Sequence, residues 1–186
     1  MKVYAGTGHR LEVLGGHTEA VHNKAVAYAR KTLMQFRPNR VISGMALGWD
    51  QALATAAVEL NIPFVAAVPF VGQDHVWGAE AQSRYRALLD KAEHVEIVCE
   101  GGFATHKYHE RDKWMVDNSD VVLALWNGQK HGGTYSTVKY AWKVNREVVN
   151  VWDGWGTFQI GCPCGCGASC EDHCWHTSTW ADEGGQ

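Results

Sequence analysis

No basic run occurs anywhere in the 186 residues, and acidic side chains outnumber basic ones by 20 to 17, for a net charge of −3. That balance lacks the electrostatic footprint of a dedicated nucleic-acid binder, so nucleic acid is not an expected partner. No apolar stretch approaches the roughly 18 residues of a membrane span. The N-terminal MKVYAGTGHR carries no long apolar export segment either, and a cytoplasmic protein without a membrane partner is the expectation. Cysteine is scarce where a disulfide scaffold would need it: only Cys99, of six, precedes residue 162. Two phosphate-binding signatures are also missing. Neither G-x-G-x-x-G nor G-x-x-x-x-G-K-S/T occurs, so neither NAD-dependent hydride transfer nor NTP hydrolysis is indicated.

What the chain does have is a regular alternation of short apolar runs and helical patterns. Residues 2–5, 41–42, 63–68, 95–98, 121–125 and 147–151 are β-prone, and the run Val121, Val122, Leu123, Ala124, Leu125 has the continuous apolar character of a strand covered on both faces. Between them lie helical spacings. Val21, Ala25, Tyr28, Ala29, Thr32, Leu33 and Phe36 share one face, with Thr18 placed as the N-cap and Pro38 ending the pattern. Further helices are expected around residues 52–60, 79–92, 109–117 and 134–142, with 101–108 as a mobile connection. The reading is an α/β, Rossmann-like, doubly wound and mostly parallel sheet over residues 1–153, followed by a short Cys/His/Trp-rich appendage over 154–186.

Three of the strands deliver glycines to a helix start. Gly6, Thr7, Gly8 and Arg10 follow the first: the glycines free backbone donors, Thr7 offers a hydroxyl, and Arg10 carries a fork suited to phosphate or carboxylate. Ser43, Gly44, Met45, Gly48 and Asp50 follow the second, where Asp50 either accepts from a ribose hydroxyl or caps the helix, capping being the preferred of the two. Asn127, Gly132, Gly133 and Thr134 follow the fifth, at the sheet edge where open α/β folds bind ligands. Gly8, Gly44 and Gly133 are thus expected to approach an anionic ligand closely. Phe70 and Trp77, after the third strand, either cover a base or sugar or belong to the core.

In the tail, Cys162, Cys164, Cys166, Cys170, His173, Cys174 and His176 concentrate thiolates and imidazoles. Four of them would complete a tetrahedral zinc site. The C-x-C spacings are not the C-x-x-C pairs of familiar zinc modules, so an irregular, redox-labile tail is the alternative.

The segments TGHR (Thr7 to Arg10), SGMALGWD (Ser43 to Asp50), HERDKWM (His109 to Met115), Ser119-Asp120 and GGT (Gly132 to Thr134) occur in an order that resembles the SLOG superfamily, and within it the YpsA-type branch. This Rossmann-like group unites DprA-type proteins with the LOG, or "lysine decarboxylase-like", phosphoribohydrolases. The resemblance spans roughly residues 1–151 and leaves out the tail. It implies a nucleotide or nucleotide-derived small molecule as ligand, with Arg111 in the position of the arginine that LOG enzymes use. It also implies a homo-oligomer, whose contact is expected near residues 84–89 and Met115. LOG enzymes hydrolyse the N-glycosidic bond of nucleoside 5′-monophosphates with a glutamate that follows the glycine motif. Here Thr134, Tyr135, Ser136, Thr137, Val138 and Lys139 stand there instead, and Asp112 replaces the lysine after Arg111. A sensor or sequestering protein is therefore expected ahead of a phosphoribohydrolase. Turnover would need a relocated acid among Asp50, Asp112, Asp117 and Asp120. A DprA-like role on single-stranded DNA is opposed by the acidic balance.

Overall fold

A computed structural model describes residues 1–160. In chain order the elements are β1 (Val3–Gly8), α1 (Leu11–Leu14), α2 (Glu19–Phe36), β2 (Arg40–Ser43), α3 (Trp49–Glu59), β3 (Phe64–Val68), α4 (Ala79–Leu89), β4 (His94–Ile97), α5 (Thr105–Asp117), β5 (Val121–Leu125), α6 (Gly132–Lys143), β6 (Glu147–Asn150) and α7 (Trp152–Trp155). All strand pairs are parallel, in the order β4-β3-β2-β1-β5-β6. This is the α/β, doubly wound, Rossmann-like sheet expected from the sequence.

Strand periodicity divides the core in two. Tyr4, Val41, Phe64, Ala66, Val68, Val121, Leu123 and Leu125 pack with residues of α2, α3 and α4. Ala5, Ile42, Val65 and Ala67 face the other way onto Met115 of α5, and Val122 meets Val116 and Ala141 from α5 and α6. Helix α3 is deeply enclosed: Trp49, Ala52, Leu53, Ala54, Ala56 and Ala57 are fully buried. Its alanines let it lie close to the sheet, and the glycines of β1 complete the fit. A Cβ on Gly6 would come within 2.5 Å of Leu53 Cδ2, and one on Gly8 within 2.5 Å of Trp49 Cδ1. Helix packing alone therefore requires a glycine at 8.

Local chemistry explains the helix ends. Thr18 caps α2 as expected, its Oγ1 accepting from Val21 N at 3.2 Å. Arg37 closes the helix in the left-handed region, φ 48°, just before Pro38. Asp50 is not a cap: Gly48 holds the N-cap position of α3, and Asp50 lies inside the first turn. The connection before α5 is shorter than expected. The helix already begins at Thr105, and Lys107 Nζ donates to the carbonyls of Glu100 and Gly102 at 2.5 and 2.6 Å.

The core runs on past the last strand. Trp155 and Phe158, both buried, pack edge-on and tilted against Tyr28, whose hydroxyl donates to Val151 O at 2.5 Å. Met115, expected at a subunit contact, is 1% exposed and turned to the sheet, so it cannot serve there. Tyr85 and Leu88 of α4 are likewise buried. Among the described residues no helix is long and apolar enough to cross a membrane.

Candidate functional site

From β1 the chain passes first to β2, β3 and β4 on one side and later to β5 and β6 on the other, so the strand order reverses between β1 and β5. In such sheets the diverging loops leave a crevice beyond the carboxyl ends of the strands. A cavity of about 450 Å³ lies there, lined by the loops after β1, β2 and β5 and by α5. That volume is within the range of about 300–1,000 Å³ common for small-molecule sites.

On the β5 side the wall is the start of α6. Asn127 Oδ1 accepts from Gln129 N at 3.1 Å and Trp126 Nε1 donates to Gln129 O at 2.8 Å, which together shape the turn. Gly132 has φ 82°, a conformation that favours glycine. His131 occupies the N-cap without a side-chain cap bond, and the first-turn amides of α6 find no acceptor among the described residues. A Cβ at Gly133 would meet no described residue within 4 Å. The result is an open set of backbone donors at the positive end of a 12-residue helix.

The β1 loop supplies the next wall. Thr7 is 7% exposed, lines the cavity, and its hydroxyl has no partner among the described residues. Arg10 likewise lines the cavity and makes no ion pair among the described residues. His9 Nε2 accepts from Asn127 N at 3.1 Å, which leaves its proton on Nδ1. Burial holds its imidazole below the ordinary pKa.

The floor belongs to Asp50, Arg111 and Asp112. Arg111 is 4% exposed, and its Nη1 donates to the carbonyl of Gly44 and lies 3.9 Å from Asp50 Oδ2. Its Nε donates to Asp112 Oδ1 at 2.8 Å. Asp50 Oδ2 also accepts from Ala46 N at 3.4 Å. Burial pushes the Asp50 carboxyl up to about 6 despite the opposing pull of Arg111, and the neighbouring Asp112 charge adds to the rise.

Of the residues singled out by sequence, the cavity brings together Gly6, Thr7, Gly8, Arg10, Asp50, Arg111, Gly132, Gly133 and Thr134. Ser43, Gly44, Met45, Gly48 and Asn127 stand behind its surface. Ser43 Oγ donates to Asp50 O at 2.7 Å, Gln51 Nε2 donates to Met45 O at 3.2 Å, and Gly44 makes room for the Arg111 guanidinium. Gly48, at φ 108°, lets the β2 loop pass against His9 O. His9, Glu12, Tyr108, Gln129 and His131 also line the cavity. His9 lies within the TGHR segment and Tyr108 beside HERD, so adjacency could have flagged those two; Gln129 and His131 carried no signal.

Among the described residues no group of three or more His, Cys, Asp or Glu is placed to hold a metal. The cysteines and histidines from Cys162 to His176 lie outside the described residues.

The YpsA family model, described as the YspA SLOG family, matches residues 18–151. The chain belongs to this family. As a YspA SLOG member it is 30% identical over 137 residues to the SPbeta prophage-derived protein YoqJ of Bacillus subtilis, covering 65% of this chain and 80% of that one. It is 27% identical over 140 residues to a UPF0398 protein of Shouchella clausii, covering 68% and 73%. Among solved structures, DprA from Streptococcus pneumoniae superposes with a TM-score of 0.57 at 18% identity, over 83% of this chain and 53% of that chain. The chain thus spans about half the length of that DprA. A molybdenum cofactor binding protein from Rippkaea orientalis gives 0.50 at 16% identity, over 79% and 74%. At these identities the likeness is one of fold.

Proposed function

We propose that this YspA SLOG protein binds a nucleotide or nucleotide-derived small molecule in the β1/β5 crevice, as a sensor or sequestering protein. The observation that carries the reading is the uncapped start of α6, flanked by the Thr7 hydroxyl and the Arg10 guanidinium, neither of which has a partner among the described residues. Backbone amides, a hydroxyl and a guanidinium around one glycine-lined opening are the donor set of a phosphate site. Fold neighbours that bind a molybdenum cofactor or single-stranded DNA support a ligand of this broad kind.

Adenosine 5′-monophosphate is a suitable probe, and Gly133→Val the deciding variant. The added side chain enters open space at the α6 amides, so binding should be lost while the melting temperature stays close to that of the parent. Unchanged affinity in that variant would remove the phosphate from α6.

A second reading, hydrolysis of nucleoside 5′-monophosphates, is favoured by one observation: Asp50 is a buried carboxylate on the cavity floor, ionised above about pH 6. It has the sign that Lys139 lacks for stabilising a ribosyl cation or taking a proton from water. Base released from nucleoside monophosphates by the parent and not by Asp50→Asn would establish it. For the tail, four of the cysteines and histidines from Cys162 to His176 would complete a zinc site, with an irregular, redox-labile segment as the alternative.

A further inference from the structure

Both α2 and α4 pack against α3, and a second cavity, of about 420 Å³, lies where the three helices converge. It shares no lining residue with the crevice at β1 and β5. Val58 of α3 and Leu88 of α4 make part of its lining apolar.

His22 of α2 is the buried polar member. It is 8% exposed, lines the cavity, and its ring makes no hydrogen bond with the described residues. Burial, together with the nearby Arg84 charge, holds its imidazole below the ordinary pKa. At neutral pH the ring therefore offers one N–H donor and one bare nitrogen acceptor. A buried imidazole with neither of them satisfied is unfavourable, and a ligand that both donates and accepts relieves it.

The ionised side chains of the lining sort by helix. Glu19 of α2 and Glu59 of α3 carry the carboxylates, whereas Arg84 of α4 and Lys91, just past the end of that helix, carry the cations. Competing partners lie outside the lining. Glu80 accepts from Arg84 Nη2 at 2.8 Å in an exposed i,i+4 pair, and Arg30 Nη1 stands 3.8 Å from Glu59 Oε2. Glu19 and Lys91 make no ion pair among the described residues. The formal charges of the lining cancel, so a ligand of one sign would meet a like charge across the cavity, and a zwitterion would meet an unlike charge at both ends.

We propose that this cavity is a second binding site, for a small zwitterion that carries a carboxylate and an ammonium on a short apolar body, the chemistry shared by free amino acids and dipeptides. The carboxylate faces Arg84 and Lys91, the ammonium faces Glu19 and Glu59, and the apolar body lies on Val58 and Leu88. The neutral His22 ring serves either end, since its bare nitrogen accepts from an ammonium and its N–H donates to a carboxylate. With no residue in common, the site stands whether or not the crevice takes a nucleotide.

Isothermal titration of the full chain with leucine, leucyl-leucine, N-acetylleucine and leucinamide tests the proposal. Leucine or the dipeptide should bind at millimolar concentration, and the tighter of the two gives the length of body that the cavity takes. N-acetylleucine, which lacks the ammonium, and leucinamide, which lacks the carboxylate, should bind about tenfold or more weakly than leucine. Lys91→Gln and Glu19→Gln, at exposed positions whose replacement should not disturb folding, should each weaken the tighter zwitterion by about the same factor. Excess adenosine 5′-monophosphate should leave that zwitterion bound, because the two cavities are separate. Absence of binding by both zwitterions, blocked analogues bound as tightly, an affinity indifferent to either variant, or displacement by the nucleotide overturns the proposal.

Discussion

Arg111, on the helix of one sheet face, donates to the carbonyl of Gly44 at the end of β2, and its guanidinium fills the volume that a side chain at residue 44 would need. A segment read from sequence as a ligand-facing glycine thus answers to an arginine 67 positions away.

Arg111→Ala should therefore weaken the fold as well as any ligand affinity. It strands Asp50, which is 7% exposed, and removes the partner of Asp112. Breaking a buried ion pair from one side costs about 3–5 kcal/mol. Urea unfolding should show a loss of that order, with Arg111→Lys recovering only part because the fork is lost. A stability within about 0.5 kcal/mol of the parent would mean that the guanidinium is not holding this floor together.

The Asp50 carboxyl makes stability depend on pH in an unusual direction. Its folded pKa of about 6 lies above the ordinary 3.8, so the folded state holds the proton more tightly than the unfolded chain. Its contribution therefore favours folding less as pH rises from about 4 through 6, and above that the ionised group costs roughly 3 kcal/mol. Because Arg111 keeps its closer partner Asp112, Asp50→Asn should be more stable than the parent at pH 8, by up to that amount, and the gap should close toward pH 4. Melting temperatures measured in parallel across this range check it; a gap that widens on acidification would reverse the assignment.

Gly8→Ala tests the packing between β1 and α3. The new methyl would come within about 2.6 Å of three atoms of Trp49, itself fully buried with no space to retreat. Overpacking of this kind costs about 1–3 kcal/mol. A lowered melting temperature is expected here, in contrast to Gly133→Val, which enters open space.

For the tail, protein purified without a histidine tag should contain about one equivalent of zinc by elemental analysis, and chelation should leave ligand binding in the sheet domain intact. Less than about a tenth of an equivalent would make it a metal-free cysteine-rich segment.

Much of the fold was legible because it depends on local patterns. The apolar run at Val121 to Leu125, the cap at Thr18 and the glycine turns each announce their element within a few residues. The cavity was legible where strand ends supply its walls, as with Thr7, Arg10, Gly133 and Thr134. The misses are matters of distance in the chain. Nothing near Gly8 says that Trp49 will press on it, and nothing near Asp50 reveals Arg111 or predicts a carboxylate inside a helix turn instead of at its cap. Trp155 and Phe158 fall past residue 153, where the apolar periodicity stops, yet they close the core around Tyr28. Side-chain reach across elements has no period to read.

His9 joins three loops at once: its N–H donates to Leu125 O, its carbonyl accepts from Trp49 N, and its ring accepts from Asn127 N. The mouth of the cavity is consequently tied together at a single residue that bridges the turns after β1, β2 and β5. If the proposed ligand binds here, it meets a mouth already held in place by hydrogen bonds, so its residence would depend on the strength of its contacts more than on the ordering of loops.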